Sequence, residues 1–284
     1  MLLLLGMGAV LLLSSGGEND AAEDARAESA TPTATPTNTL TLTPLEAALQ
    51  RAQAGVTRNA DWEPFVQEFD GVEMVLVPAG CFMMGSENGD DDETPVHEQC
   101  FDEPFWVDRY EVTNEQYGSI GCEQWSSEPD QPRNCITWFE ARDFCEQRRM
   151  RLPTEREWEY TARGPSNWVY PWGDDWDGAN AVESGNSGNQ TAEVGSIRSG
   201  VSWVGAMDLS GNVWEWTKSV YENYPYGPDD GREADQGGST DVRYVMRGGS
   251  FHNSTLNLRA ANRSWGNPYF EYYGLGWRCA RSLE

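Results

Sequence analysis

Residues 207–216 read MDLSGNVWEW, and this decapeptide decides how the rest of the chain is read. It sets Trp214 and Trp216 on either side of Glu215, just after a Gly-Asn pair able to turn tightly. A carboxylate between two indoles is poorly solvated and needs a cation or several donors. Asp208, Asn212 and Glu215 are hard oxygen donors, and a turn here frees the backbone carbonyls of Gly211 and Val213. That inventory suits Ca²⁺. In the alternative reading, Asp208 and Asn212 only cap a turn and Glu215 pairs with an arginine. The spacing is not that of an EF-hand loop, and the residues alone leave both readings open.

Working outward, the 284 residues include 13 Trp, 11 Tyr and 29 Gly, enough to bury a large aromatic core within a loop-rich fold. The net charge of −26 argues against nucleic acid as a partner, because phosphate binding needs a basic surface. Eight carboxylates and no Lys or Arg fall between Glu87 and Glu103, which reads as a solvated acidic loop. Six Cys and the apolar run Leu2–Leu13 point to export, to a secreted, periplasmic or cell-surface location. Residues 1–16 are expected to be a signal peptide or a membrane segment that tethers the protein. Residues 17–58 read as a Thr/Pro-rich tether with a short helix at Leu45–Ala54, and residues 59–284 as the folded domain.

Within that domain, Met74–Pro78 (MVLVP) is a fully apolar strand, and CFMMGS after it is a second. Phe105–Val107 is a further apolar stretch. Three helix starts show Thr three residues before Gln or Glu, the capping-box spacing: Thr113 with Gln116, Thr137 with Glu140, Thr154 with Glu157. Gly164 is placed to stop the last helix. Short strands are expected at Val213–Trp216, Tyr244–Met246 and Trp277–Ala280.

Taken together, EMVLVPAGCFMMGS (73–86), EVTNEQY (111–117), RLPTEREWEYTARG (151–164), YPWG (170–173), DLSGNVWEW (208–216), RGGS (247–250) and GLGWRCAR (274–281) resemble, in the same order, the formylglycine-generating enzyme family, the sulfatase-modifying-factor domain. The resemblance spans Gly71 to Ser282. It implies an α+β fold, that family's variant of the C-type-lectin-like fold, with little regular secondary structure and with stabilisation by Ca²⁺ and disulfides. One implied calcium site uses the side chains of Asp208 and Glu215 with the carbonyls of Gly211 and Val213. A second falls on the side chain of Asn180 and the carbonyl of Ala181, then Asn186 and Gly188. This second set has no carboxylate and would bind weakly, since affinity tracks ligand charge.

The chemistry is where the chain departs from the resemblance. Active members hold copper between two cysteines shortly after the GGS motif and oxidise a substrate cysteine to formylglycine. Here that segment reads RGGSFHNSTLNLRAANR, with Asn253 in the first cysteine's place and no Cys between Cys145 and Cys279. An amide oxygen does not replace a thiolate on Cu(I), so neither copper nor the oxidase activity is expected. Two His, no GxSxG elbow and no GxxxxGK loop leave no other catalytic scheme marked. By the same resemblance Cys145 and Cys279 form a disulfide, worth roughly 4–5 kcal/mol by chain entropy. The remaining four are assigned by proximity as Cys81–Cys100 and Cys122–Cys135.

What remains is a binding module for a protein, peptide or glycan. Its candidate surface is Ser250, His252 and Asn253 together with Trp265, Tyr269 and Tyr272 of the loop-like segment SWGNPYFEYYG (264–274), since aromatics with polar tips make rigid contacts. About half of that segment's aromatics are expected to fill the core beside Trp277. The alternatives are a formylglycine-generating oxidoreductase with an unrecognised site, or the sensor domain of a membrane receptor kinase.

Overall fold

The computed structural model describes residues 42–234, 236, 239 and 241–283. The expected leader and most of the Thr/Pro tether, residues 1–41, lie outside the described residues. Helix α1 (Pro44–Ala54) starts at a capping box between Thr43 and Glu46 and buries Ala48 and Ala52. The Ala52 carbonyl accepts from the Ala79 amide at 3.0 Å, so this helix belongs to the folded body that continues past Asn59.

Three sheets follow, and the alternation of apolar runs with Gly and Pro explains why each strand is short. β1 (Val66–Phe69), β2 (Val72–Val77), β5 (Phe105–Asp108) and β10 (Ala280–Ser282) form one antiparallel sheet in the order β1-β2-β5-β10. β3 (Gly80–Met84) and β4 (His97–Phe101) pair as a hairpin joined by Cys81–Cys100. β6 (Trp214–Val220), β7 (Tyr244–Arg247), β8 (Arg263–Gly266) and β9 (Leu275–Gly276) form the third sheet in the order β8-β7-β6-β9, with β6 and β9 parallel.

The three sequence-marked helix starts are all capping boxes: α2 (Asn114–Tyr117) on Thr113, α3 (Trp138–Gln147) on Thr137 and α4 (Glu155–Arg163) on Thr154. Each box satisfies two otherwise orphaned amides. Gly164 ends α4 at φ 63°, where a Cβ would lie 2.3 Å from Asn59 Oδ1. Only glycine fits that position.

Helix α4 carries an ion-pair spine into the core. Arg247, fully buried, reaches Glu159 at 2.5 Å and Glu155 at 3.0 Å; Arg263 pairs with Glu155 at 2.8 Å and Arg163 with Glu159 at 2.8 Å. Buried pairs add little net stability but penalise any packing that separates them.

Three expectations are corrected. The acidic run is solvated at Glu87, Asp90, Asp91, Glu98, Asp102 and Glu103 but not throughout: Glu93 is fully buried and forked onto Arg259 at 2.6 and 2.7 Å, and Asn262 donates to both Asp90 and Glu93. Cations from the distant Arg259–Arg263 segment, invisible to a local charge count, draw it inward. The expected strand at Trp277–Ala280 is split. Leu275 and Gly276 pair with β6, Ala280 to Ser282 pair with β5, and Trp277, Arg278 and Cys279 cross between the two sheets fully buried. Finally, Trp265 lies on β8 rather than in a loop, because Ser264 and Trp265 continue the pairing to Met246 and Val245.

Candidate functional site

The crossing residues position Arg278 under the MDLSGNVWEW turn. Its guanidinium forks onto Glu215 at 2.7 and 2.7 Å and also donates to the Met207 carbonyl at 2.8 Å. Trp158 Nε1 adds a donor to Glu215 Oε2 at 2.8 Å. The turn itself needs left-handed backbone at Asp208, Gly211 and Asn212, with φ of 61°, 92° and 59°. A Cβ on Gly211 would sit 2.2 Å from the Val182 carbonyl oxygen. Glu215 therefore has an arginine partner, as the simpler of the two sequence readings held.

The charge count around the turn is nevertheless unbalanced. Glu111, which sequence reasoning missed, is 1% exposed and accepts from the Val213 amide at 3.1 Å and the Asn212 side chain at 2.6 Å. Asp208 accepts from the Gly195 amide at 2.6 Å. Burial, together with the charges of Asp208 and Glu215, holds the Glu111 carboxyl well above the usual carboxylate range. Burial likewise pushes Asp208 up to about 6, although the Gly195 amide and Arg278 pull it down. Among the described residues, three acids thus face the single cation Arg278. Among the described residues no hydrogen-bond donor reaches the carbonyl oxygens of Gly211 or Val213. Surplus carboxylate and free carbonyl oxygen in a buried turn fit the donor set of a hard divalent cation. The three carboxylates do not close on one point, however, since Glu215 is turned onto Arg278 and Trp158. Glu111 was legible in principle: an acid between Tyr110 and Val112 carries the same mark that singled out Glu215.

The second expected calcium set is engaged in closing its own loop. Asn186 Nδ2 donates to the carbonyls of Gly178 and Ala181, both at 2.8 Å, and its Oδ1 accepts from the Glu183 amide at 3.0 Å. The Asn180 amide donates to the Asp177 carbonyl at 3.0 Å, and Gly188 turns at φ 60°. A cation there would have to displace the Asn186 amide from the Ala181 carbonyl.

At the turn after RGGS, Asn253 takes on a different task from metal binding. Its Oδ1 gathers the Ser250 amide at 2.9 Å, the Ser250 hydroxyl at 2.8 Å and Trp214 Nε1 at 2.9 Å. The residue in the copper cysteine's place is therefore a hydrogen-bond hub that ties the turn to β6. All six cysteines are paired, as Cys81–Cys100, Cys122–Cys135 and Cys145–Cys279, leaving no free thiol. The residues at this position do not fit a Cu(I) centre.

Beside the hub stands an aromatic wall. Trp125 and Tyr273 stack at 4.4 Å; Tyr273 meets Tyr272 at 4.2 Å and His252 edge-on at 4.8 Å. The loop closed by Cys122–Cys135 braces it, with Asn134 donating to the Tyr273 carbonyl at 2.7 Å and the Cys135 amide to the Tyr272 carbonyl at 3.2 Å. Burial lowers the His252 pKa, and its Nε2 lacks a hydrogen-bond partner. The structure thus brings Ser250, His252, Asn253 and Tyr272 together and adds Trp125 and Tyr273, which the sequence did not mark as a pair. Trp265 and Tyr269 lie elsewhere and are both exposed: Arg243 sits over the Trp265 ring at 3.8 Å, and Tyr269 packs on Phe139 at 4.9 Å. None of the segment's five aromatics is fully buried, so the expectation that half fill the core is corrected. Trp277 is already enclosed by Tyr117 and Phe144.

Among the described residues no helix is long and apolar enough to cross a membrane, and the three disulfides suit an oxidising compartment. Residues 59–283 match the sulfatase-modifying factor enzyme 1-like domain. The chain is 30% identical over 245 residues to the serine/threonine-protein kinase pkn1 of Chlamydia pneumoniae, a match covering 75% of this chain and only 38% of the kinase. It is 30% identical to the inactive C-alpha-formylglycine-generating enzyme 2 of Bos taurus, covering 74% of this chain and 88% of that protein. Among solved structures, PvdO from Pseudomonas aeruginosa superposes with a TM-score of 0.68 at 26% identity, over 78% of this chain and all of that one. The ordered motifs, the fold around the RGGS turn and these matches agree: the chain belongs to the formylglycine-generating enzyme family, the sulfatase-modifying factor domains.

Proposed function

We propose that this chain is a non-catalytic member of its family that works outside the cytoplasm as a peptide-binding module, its site turn held by Ca²⁺. The observation that carries the reading is the Asn253 hub. Three donors converge on an amide oxygen where a thiolate would be needed, and every cysteine sulfur is committed to a disulfide. The family's oxidase chemistry acts on a cysteine within a peptide, so loss of the redox ligands leaves a surface suited to holding a chain segment. The stacked Trp125–Tyr273 pair, with His252 edge-on to Tyr273, offers flat apolar area. In support, the name of the bovine relative describes that protein as inactive.

Calcium would be held by Asp208 and Glu111, with the Gly211 and Val213 carbonyls and with Glu215 sharing Arg278. It would supply the positive charge that three acids lack around a single guanidinium.

The test has two arms. Incubation with Cu(I), oxygen and a sulfatase-type cysteine peptide should leave the peptide mass unchanged, and formation of the aldehyde would overturn the reading. A peptide array probed with residues 42–284 should give ligands that Tyr273→Ala loses. Binding confined to a glycan array would replace peptide by sugar. The kinase relatives favour one further arrangement, in which the domain is the sensor of a longer receptor; genomic sequence upstream of Met1 decides it.

A further inference from the structure

Away from the aromatic turn, a cavity of about 230 Å³ lies among α3, the segment leading into α4, and β6. Drug-sized sites run to roughly 300–1,000 Å³, so this one is scaled to a small metabolite. Trp138 and Leu152 supply apolar lining, and Lys218 and Glu233 supply opposite charges. Lys218 is the only lysine in the chain. Its ammonium makes no ion pair or side-chain hydrogen bond among the described residues, although Glu233 lines the same cavity. The other two cations there are engaged, Arg151 with Glu157 at 2.6 Å and Arg142 with Asp143 at 2.5 Å.

Glu233 is held on one side only. Its Oε1 accepts from the hydroxyls of Ser219 and Tyr226, while its Oε2 is buried without any partner. The unpaired buried carboxylate oxygen is costly, whereas the partly exposed Lys218 ammonium stays hydrated; its charge acts on Glu233, but the two form no ion pair among the described residues. An anion alone would meet the repulsion of Glu233, and a cation alone that of Lys218. A neutral molecule would satisfy neither charge. A small molecule carrying both charges satisfies the two at once.

We propose that this cavity binds a free α-amino acid, with Lys218 pairing with its carboxylate, the Glu233 carboxylate drawing its ammonium, and its side chain lying against Trp138 and Leu152. The inference is independent of peptide binding at the RGGS turn. Burial raises the Glu233 carboxyl above its ordinary range, while the Ser219 and Tyr226 hydroxyls and the charge of Lys218 pull it down.

Calorimetric titration of the full chain tests it, with leucine as the probe and leucinamide and N-acetylleucine as analogues lacking one charge each. Leucine should bind at least tenfold more tightly than either. Lys218→Met should weaken leucine at least tenfold while leaving leucinamide unchanged. Glu233→Gln should weaken leucine similarly while leaving N-acetylleucine unchanged. Lys218 is partly exposed, so its variant keeps the test decisive even if Glu233→Gln fails to fold. Equal binding of all three compounds, or no binding of any of the twenty common amino acids, would overturn the proposal.

Discussion

Asp208→Asn should change the sign of its effect on stability between chelator and calcium. In the absence of a divalent cation, Asp208 is a liability. Its folded pKa of about 6 stands above the unfolded value of 3.8, so the folded state must give up a proton it would rather keep. At neutral pH the full shift corresponds to about 3 kcal/mol, and its partial exposure reduces this to about 1–2 kcal/mol. Asparagine keeps an oxygen for the Gly195 amide and removes the charge. In EDTA the variant should therefore melt higher than wild type, by roughly 2–8 °C for a domain of this size.

Calcium reverses the order. At a free concentration a hundredfold above Kd, ligand linkage raises wild type by about 2.7 kcal/mol, whereas a variant with one carboxylate fewer binds more weakly and gains less. The pH dependence follows with a definite sign. Because the folded pKa is raised, the penalty is absent below the unfolded value, grows as pH rises through the window from 3.8 to about 6, and is complete above it. In EDTA the two melting curves should accordingly converge as the buffer is taken from pH 7 to pH 4. Scanning fluorimetry of both proteins, with EDTA and with millimolar Ca²⁺, reads every term. If Asp208→Asn lowers the melting temperature equally in both buffers, or if EDTA leaves wild type unmoved, the turn is not a calcium centre.

Three further outcomes are expected. Asn253→Ala strands the Ser250 amide and the Trp214 indole N–H, and should cost about 2–4 kcal/mol in urea unfolding, with a blue-shifted or quenched tryptophan signal reporting the disturbed Trp214. Removing Cys145–Cys279, whose ends are 134 residues apart, should cost about 4–5 kcal/mol against about 3 kcal/mol for Cys122–Cys135, separated by 13; equal losses would show that chain entropy is not the main term. Arg247→Met leaves Glu159 and Glu155 each short of one partner in a fully buried network, and a loss of about 3–5 kcal/mol is expected in the same assay.

Local chemistry was the part of this fold that the sequence displayed. Thr113, Thr137 and Thr154 announce their helices because a capping box is written within four residues, and each is found in place. The apolar β2 and β5 are equally self-contained. Partnerships between distant residues were hidden. Glu93 looks like one more solvated acid until Arg259, 166 residues later, forks onto it. Residues 277–279 look like a strand because they alternate with nothing, and only the two sheets on either side of them show that they are a crossing.

The same division runs through the site. The pairs of residues that matter there, Glu215 with Arg278 and Trp125 with Tyr273, are 63 and 148 positions apart. Resemblance could supply the first neighbourhood, because a family motif carries both of its ends; it could not supply the second. Asn253 shows why a missing ligand differs from an empty place. Substituting one cysteine removes a thiolate, but the structure has rebuilt the position, with Ser250 and Trp214 both donating to the new amide. A simple return to cysteine would release those donors without restoring a second sulfur, since the other six are bonded to one another. On the proposed non-catalytic reading, a copper site of the family's kind would therefore require at least two new cysteines and a turn that folds without its hub.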